Sequence, residues 1–263
     1  MHDDVQHSGF ILGSKISAIG FTRTIDTIQE WIQQKKSKYV CICNTHSLVT
    51  AKKDKEFREA LDRSDICTPD GMPLVWALRK LGYKDQDRVD GPNLMLELCK
   101  LSKVKGYKIY LYGSTNETLD KLEKKLLDLY PGVNIVGKHS PPFRKLNASE
   151  EEAVVKLINS SEPDIVFVGL GCPKQEVWML QNKDRINGIM IGVGAAFDFI
   201  SGNIKRAPKR MQNLGLEWLY RLMFNPRKLW KRYVYNNPLY IYMYIKSYRN
   251  DRNKTLQLFT RKA

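Results

Sequence analysis

Through its first two hundred residues the chain alternates short apolar runs with stretches where apolar positions recur every three or four residues. Runs rich in Val and Ile suit strands covered on both faces, and the longer spacing suits helices that bury one stripe. Strands are predicted over Tyr39–Cys43, Tyr107–Tyr112, Asn134–Lys138, Ile165–Leu170 and Ile189–Val193, with shorter ones near Ile16–Ile19 and Asp65–Cys67. One helical stripe is Leu94, Met95, Leu98 and Leu101, entered at Pro92, where a missing N–H does no harm. Leu119, Leu122, Leu126 and Leu127 form another, stopped by Pro131 and Gly132. Ser149 with Glu152 reads as a capping box ahead of Val154, Leu157 and Ile158. Strands alternating with helices predict an α/β domain with a mainly parallel sheet.

After Gly202 the pattern changes. Trp218, Tyr220, Arg221, Phe224, Arg227, Trp230, Arg232, Tyr233 and Tyr235 interleave rings with cations, and Leu239–Ile245 is apolar with three tyrosines. Helices of this composition suit a headgroup boundary, with rings among acyl chains and cations at phosphates. The alternative is a helical segment packed on the body with a solvated basic face. The chain therefore divides into an α/β core over 1–202 and a basic, aromatic helical appendage over 203–263.

Charge sharpens that division. The net charge is +15, and the last segment holds fifteen basic residues against Glu217 and Asp251, so +13 of it lies there. A near-neutral body with a basic end points to an anionic partner, a membrane or a nucleic acid. With 43% hydrophobic residues, a disordered or fibrous chain is excluded. No uncharged apolar run approaches the length of a spanning helix. The start, Met1-His2-Asp3-Asp4, lacks the features of a signal peptide, so a cytoplasmic protein is expected. The five cysteines, Cys41, Cys43, Cys67, Cys99 and Cys172, show no CxxC spacing and are expected to be reduced and mostly in the core.

In an open parallel sheet, ligands bind beyond the carboxyl ends of the strands. Four segments fall there. Gly113 and Ser114 precede a helix whose free N–H groups suit phosphate. Gly169, Gly171, Lys174, Gln175 and Glu176 form a second strand-to-helix turn, and Gly192, Gly194 and Asp198 a third. Each of these reads equally as a tight structural turn. Neither glycine pair completes GxGxxG, which weighs against a nicotinamide-dependent oxidoreductase. The fourth is Thr68–Pro73, where Asp70 beside Gly71 is either a helix cap or a general base aimed into a cleft. The histidines are isolated, and Asp85 and Asp87 lie in a polar stretch between helices. No metal site and no cofactor is therefore expected, and a phosphate leaving group would have to be met by Arg or Lys.

Five segments together resemble one family. Thr68–Pro73, Arg88–Gly91, Gly169–Glu176, Gly192–Asp198 and the stretch from Arg206 to Leu222 resemble, in this order, the WecG/TagA/CpsF glycosyltransferases. The segments Asp70–Trp76 and Met211–Tyr233, with Asn236-Asn237-Pro238, look most like its exopolysaccharide and capsule branch, which includes the xanthan glucosyltransferase. The resemblance implies a Rossmann-like core, a membrane-associating appendage, and an inverting, metal-independent transfer from a UDP-sugar to a polyprenyl-diphosphate-linked saccharide. It implies that Asp70 is the base, that Asn44, Arg88 and Gln175 join it, and that Arg221 approaches the diphosphate. Arg227, Lys228, Lys231 and Arg232 align in more than one way. One departure is Ile42, where some members have Thr.

These expectations place the enzyme on the inner face of the cell membrane, held peripherally by an anionic lipid surface, with no nucleic acid partner and with a homo-oligomer left open. The rival reading, a nucleic-acid-binding protein using the basic end, carries no RRM, KH or helix-turn-helix signature. Sedimentation with anionic liposomes against gel retardation separates the two.

Overall fold

Six of the predicted strands meet in one parallel sheet. The computed structural model describes residues 7–224 and 226–247, without the side chains of 213, 228, 231 and 232. The chain opens with an antiparallel hairpin, β1 (Ser8–Ile11) and β2 (Ser14–Ser17), followed by α1 (Phe21–Gln33). The sheet strands are β3 (Lys38–Cys43), β4 (Ile66–Pro69), β5 (Ile109–Gly113), β6 (Ile135–His139), β7 (Ile165–Gly169) and β8 (Ile189–Gly192), in the spatial order β4-β3-β8-β7-β5-β6. The weaker strand expected near Ile16–Ile19 is β2, which stays out of the sheet. It lies against the β4 edge, where the Cys67 N–H donates to Ser17 Oγ at 3.0 Å.

The parity of the strands sorts their side chains onto two cores. Tyr39, Cys41, Cys43, Tyr110, Tyr112, Val166, Val168 and Met190 face one side. Val40, Ile42, Ile109, Leu111, Ile165, Phe167, Ile189 and Ile191 face the other. The first side is covered by α2 (Thr45–Ala51), α3 (Lys55–Asp62), α4 (Met72–Lys80), α7 (Ala148–Ser160) and α8 (Lys174–Asn182). The second is covered by α1, α5 (Gly91–Lys105), α6 (Asn116–Leu129) and α9 (Ala196–Ile200). A strand buried on both faces must be apolar at every position, which is why the strand runs do not alternate. None of the five cysteines forms a disulfide, and Cys41, Cys43, Cys67 and Cys99 are buried, as expected.

Three local expectations shift. The cap of α7 is Asn147, whose carboxamide accepts from the Glu150 N–H while the Glu150 carboxylate accepts from the Asn147 N–H. Ser149 instead donates its hydroxyl to Asn147, so the box sits two residues earlier than Ser149–Glu152. The cap falls at Asn147 because the chain is still extended there, with φ −81° and ψ 171°. Leu127 and Leu157, read as part of buried stripes, are exposed, because each stripe is narrower than its periodicity suggests.

Beyond Gly202 come α10 (Lys209–Asn213), α11 (Glu217–Phe224), α12 (Pro226–Trp230), a π-helical turn (Lys231–Tyr235) and helix over 236–247. The expected helical character holds for the described part, while Arg249, Arg252, Lys254, Arg261 and Lys262 lie outside the described residues. These helices lie over α4 and the start of α2. Tyr240 is buried in the first core, and its hydroxyl donates to the Pro73 carbonyl at 3.4 Å. Gly215 has φ +73°, and a Cβ there would sit 3.2 Å from Met72 Cβ, so the backbone of the segment rests directly on the N-terminus of α4. Among the described residues no helix is long and apolar enough to cross a membrane.

Candidate active site

The carboxyl ends of β3 and β4 and the helices after Gly202 enclose a cavity of about 330 Å³. Asn44 ends β3 and caps α2, its Oδ1 accepting from the His46 and Ser47 N–H groups. Asp70 follows Pro69, a residue tolerated because β4 is an edge strand of the parallel sheet. Its N–H donates to the Cys43 carbonyl at 2.7 Å, which ties the two strand ends together. Gly71 then turns the chain with φ +98°, a conformation that favours glycine, and Pro73 sits in the first turn of α4. The turn brings the Asp70 carboxyl to the cavity wall rather than into a helix cap, and no side chain caps α4.

Arg88 joins Asp70 to the C-terminal helices. Its Nε donates to Asp70 Oδ1 at 2.9 Å, and its Nη2 lies 2.8 Å from both Asp70 Oδ1 and Glu217 Oε2. A second ion pair lies behind it. Asp90 is buried, caps α5, and accepts from Arg206 Nη2 at 2.7 Å. Burial pushes the Asp70 carboxyl above the usual carboxylate range; Arg88 pulls it down, while Asp90 and Glu217 push it up again. Burial works against the charge of Arg88, but Asp70, Glu217 and Asp90 together hold the guanidinium above its ordinary value.

The opposite wall comes from the C-terminal segment. Trp218 and Arg221 of α11, Tyr233, Asn237 and Tyr240 line it, with Trp76 of α4 at the rim. The Arg221 guanidinium lies 5.2 Å from the Phe199 ring of α9, which ties this wall to the end of β8. Two contacts close the segment onto α2: Thr45 Oγ1 donates to Asn237 Oδ1 at 3.3 Å, and Asn236 Nδ2 lies 2.7 Å from His46 Nδ1.

Of the residues expected in the site, Asn44, Asp70, Gly71, Arg88 and Arg221 line this cavity. The remainder do not. Gln175 and Glu176 are buried at the start of α8, and a Cβ on Gly192 or Gly194 would meet the Gln175 carboxamide at 3.0 or 3.3 Å. Gly171 donates its N–H to Gln175 Oε1, and Gln175 Nε2 donates to Glu176 Oε1 at 2.8 Å. Glu176 Oε2 is buried without a hydrogen-bond partner, and burial pushes this carboxyl up to about 7. Gly113 and Gly169 end adjacent strands and press against each other. The Ser114 carbonyl accepts from Ser140 Oγ at 2.7 Å, Lys174 is exposed, and Asp198 is half-buried on α9. The side chains of Lys228, Lys231 and Arg232 lie outside the described residues.

Three charged members of this site were not singled out from the sequence: Glu217, Asp90 and Arg206. Each lies in a segment that carried the family resemblance. Glu217 had a further signal, since it is one of two acids among fifteen bases, and a lone carboxylate in a basic segment calls for a partner.

Comparison with protein families matches residues 10–254 to the glycosyl transferase WecG/TagA/CpsF family. The chain belongs to that family. Among similar proteins, an N-acetylglucosaminyldiphosphoundecaprenol N-acetyl-β-D-mannosaminyltransferase of Bacillus subtilis (strain 168) is 32% identical over 233 residues, 88% of each chain. An enzyme of the same name from Staphylococcus aureus (strain NCTC 8325 / PS 47) is 29% identical over 237 residues, 89% of this chain and 90% of its own. This WecG/TagA/CpsF glycosyltransferase is thus similar over nearly its whole length to mannosaminyltransferases. Those names support the family and not the exopolysaccharide and capsule branch, so the resemblance carried one level of classification and not the next.

Proposed function

We propose that this chain transfers N-acetylmannosamine from a UDP donor to an N-acetylglucosaminyl-diphospho-polyprenol acceptor, in the synthesis of a cell-surface polymer such as a wall teichoic acid. The observation that carries the reading is the Asp70 carboxyl, raised by burial and paired to Arg88 on the wall of the cavity at the ends of β3 and β4. The relatives' names supply the donor sugar and the acceptor class.

In this reading the reaction is a single inverting displacement. Asp70 takes the proton of the acceptor hydroxyl, whose oxygen attacks the anomeric carbon. The bond from that carbon to the diphosphate oxygen breaks, and UDP leaves with the electron pair. Its developing charge is met by guanidinium groups, with Arg221 on the cavity wall as the candidate in reach and no metal required. Asn44 holds the start of α2 in place, and Gln175 supports the sheet ends from below.

The segment from 203 onward serves as the membrane-facing appendage. Leu214, Met223, Phe224, Trp230, Val234, Ile241 and Tyr242 are exposed, and basic side chains lie among them in the sequence. Such a surface lies on a leaflet rather than spanning it, on the cytoplasmic face where the lipid-linked acceptor presents its saccharide. Closing over the cavity only when docked would limit loss of donor to water.

A panel of UDP-sugars with a short-chain lipid-diphosphate N-acetylglucosamine tests the reading. UDP-N-acetylmannosamine is expected to be consumed fastest, with release of UDP and a β-linked product, and with transfer by Asp70→Asn lowered by about 10²–10⁴-fold. Transfer at the wild-type rate by that variant removes Asp70 as the base. Failure of every UDP-sugar removes the reading itself.

A further inference from the structure

A base paired wholly to an arginine is a poor base, because the guanidinium favours its ionised form and lowers its pKa by about 1–3 units. The cleft avoids this by giving Arg88 a second carboxylate. Arg88 Nη2 lies at 2.8 Å from Asp70 and at 2.8 Å from Glu217, and these two side chains are about equally shielded, with 20% and 14% of their surface exposed. Glu217 reaches Arg88 across 129 residues of sequence, from the first residue of α11. Its helix also meets the body through the Gly215 contact with Met72 and through Arg221, whose guanidinium lies 5.2 Å from the Phe199 ring. The carboxylate is therefore not the helix's sole contact with the body, and it arrives at Arg88 with the helix.

We propose that Glu217 is a positioning residue: when the C-terminal helices close over the cleft, it shares Arg88 with Asp70, and so releases Asp70 to act as the base only in the closed enzyme. This rests on Asp70 being the base, as proposed above. The other charged or titratable groups around Asp70 are His46 from α2, Asp90 paired to Arg206 behind Arg88, and Arg221, Tyr233 and Tyr240 on the facing wall. Asp70 and Glu217 pair with Arg88, and Asp90 pairs with Arg206. Three carboxylates, Asp70, Asp90 and Glu217, are held by two guanidinium groups, Arg88 and Arg206. An open enzyme, with Glu217 withdrawn, leaves Asp70 alone with Arg88 and therefore a weaker base.

The test uses the full chain as wild type, Glu217→Gln, Glu217→Asp and Asp70→Asn. Glu217→Gln keeps the shape and loses the charge. It is expected to move the acid limb of the pH–kcat profile down by about one unit. The plateau is expected to fall about threefold with KM little changed, since a weaker base accepts the proton less readily. Glu217→Asp is expected to restore part of the limb. In parallel, the Asp70 carboxyl is followed by ¹³C NMR without substrate, its signal assigned by its loss in Asp70→Asn; in Glu217→Gln its titration is expected to move down by the same interval. An unmoved limb together with an unmoved Asp70 titration overturns the proposal, as does a uniform loss of kcat at every pH with a lowered melting temperature. If the titration moves but Asp70→Asn still transfers sugar at the wild-type rate, the carboxylate coupling stands and the assignment of the base falls.

Discussion

The corner after β4 and the corner after β7 are built from the same parts. Each has a short strand, a glycine with positive φ (Gly71 at +98°, Gly171 at +83°), a proline, and then a helix. Each also holds a carboxyl group that burial pushes upward, Asp70 in one and Glu176 in the other. Their fates differ because of what lies opposite. Across from Asp70 stand a guanidinium and the helices of the C-terminal segment, with a cavity between them. Beside Glu176 lie Gln175, the Cys41 thiol of β3 and the close-packed ends of β7 and β8, where glycines leave room for the Gln175 carboxamide. Similar local chemistry thus becomes a charged cavity wall or a sealed polar contact according to its neighbours, since a buried charge needs either a counter-charge or a proton.

The largest expected effect falls on the first corner. Asp70→Asn is expected to lower transfer by about 10²–10⁴-fold with the circular dichroism spectrum unchanged, measured as UDP release. A variant that is equally inactive but unfolded would erase the contrast, because Asp70 would then be structural too.

Next comes the packed side of the sheet. A Cβ on Gly113 would lie 2.6 Å from the Gly169 carbonyl carbon, at a φ of +116°. Backbone cannot move aside as a flexible side chain can, so Gly113→Ala is expected to cost about 3 kcal/mol or more in urea unfolding. A mild effect, with loss of donor binding instead, would restore this turn as a phosphate loop.

Glu176→Gln isolates the sealed carboxyl. Its ordinary value of 4.5 is raised to about 7 in the fold. Below pH 4.5 the group is neutral in both states and costs nothing. As pH rises from 4.5 to 7 the unfolded chain ionises while the folded one keeps its proton, so stability falls, and above about 7 it falls no further. The wild type is therefore expected to lose about 3 kcal/mol relative to Glu176→Gln over that window, read from urea curves at pH 4.5 and 7.5. Parallel curves for the two proteins would mean that water reaches the carboxylate.

The smallest effect tests how the C-terminal segment is held. Asn237→Ala removes the contact with Thr45 Oγ1 and is expected to cost about 1 kcal/mol. Its sharper readout is faster proteolysis after about residue 202 at unchanged melting of the core.

Much of this protein was legible in the chain alone. Apolar runs located the strands of the sheet, most directly the inner ones, because a strand covered on both faces must be apolar throughout; Asp70 and Arg88 stood in segments that resemble a known family, and the same resemblance pointed to Asn44. The charge count also separated the basic end from the near-neutral body. The order of the strands and the side of the sheet taken by each helix were not legible, since periodicity reports burial and not the partner. The sequence offered Asp70 as a base and Glu176 as part of a ligand turn, but it did not show that the first lines a cavity and the second is enclosed. Only the tertiary structure set Glu217 against Arg88, a contact made across 129 residues, and left Gln175 and Glu176 enclosed. The reason is physical: a side chain's chemistry depends on the charges and solvent within a few ångströms, and in this fold those are brought by distant parts of the chain.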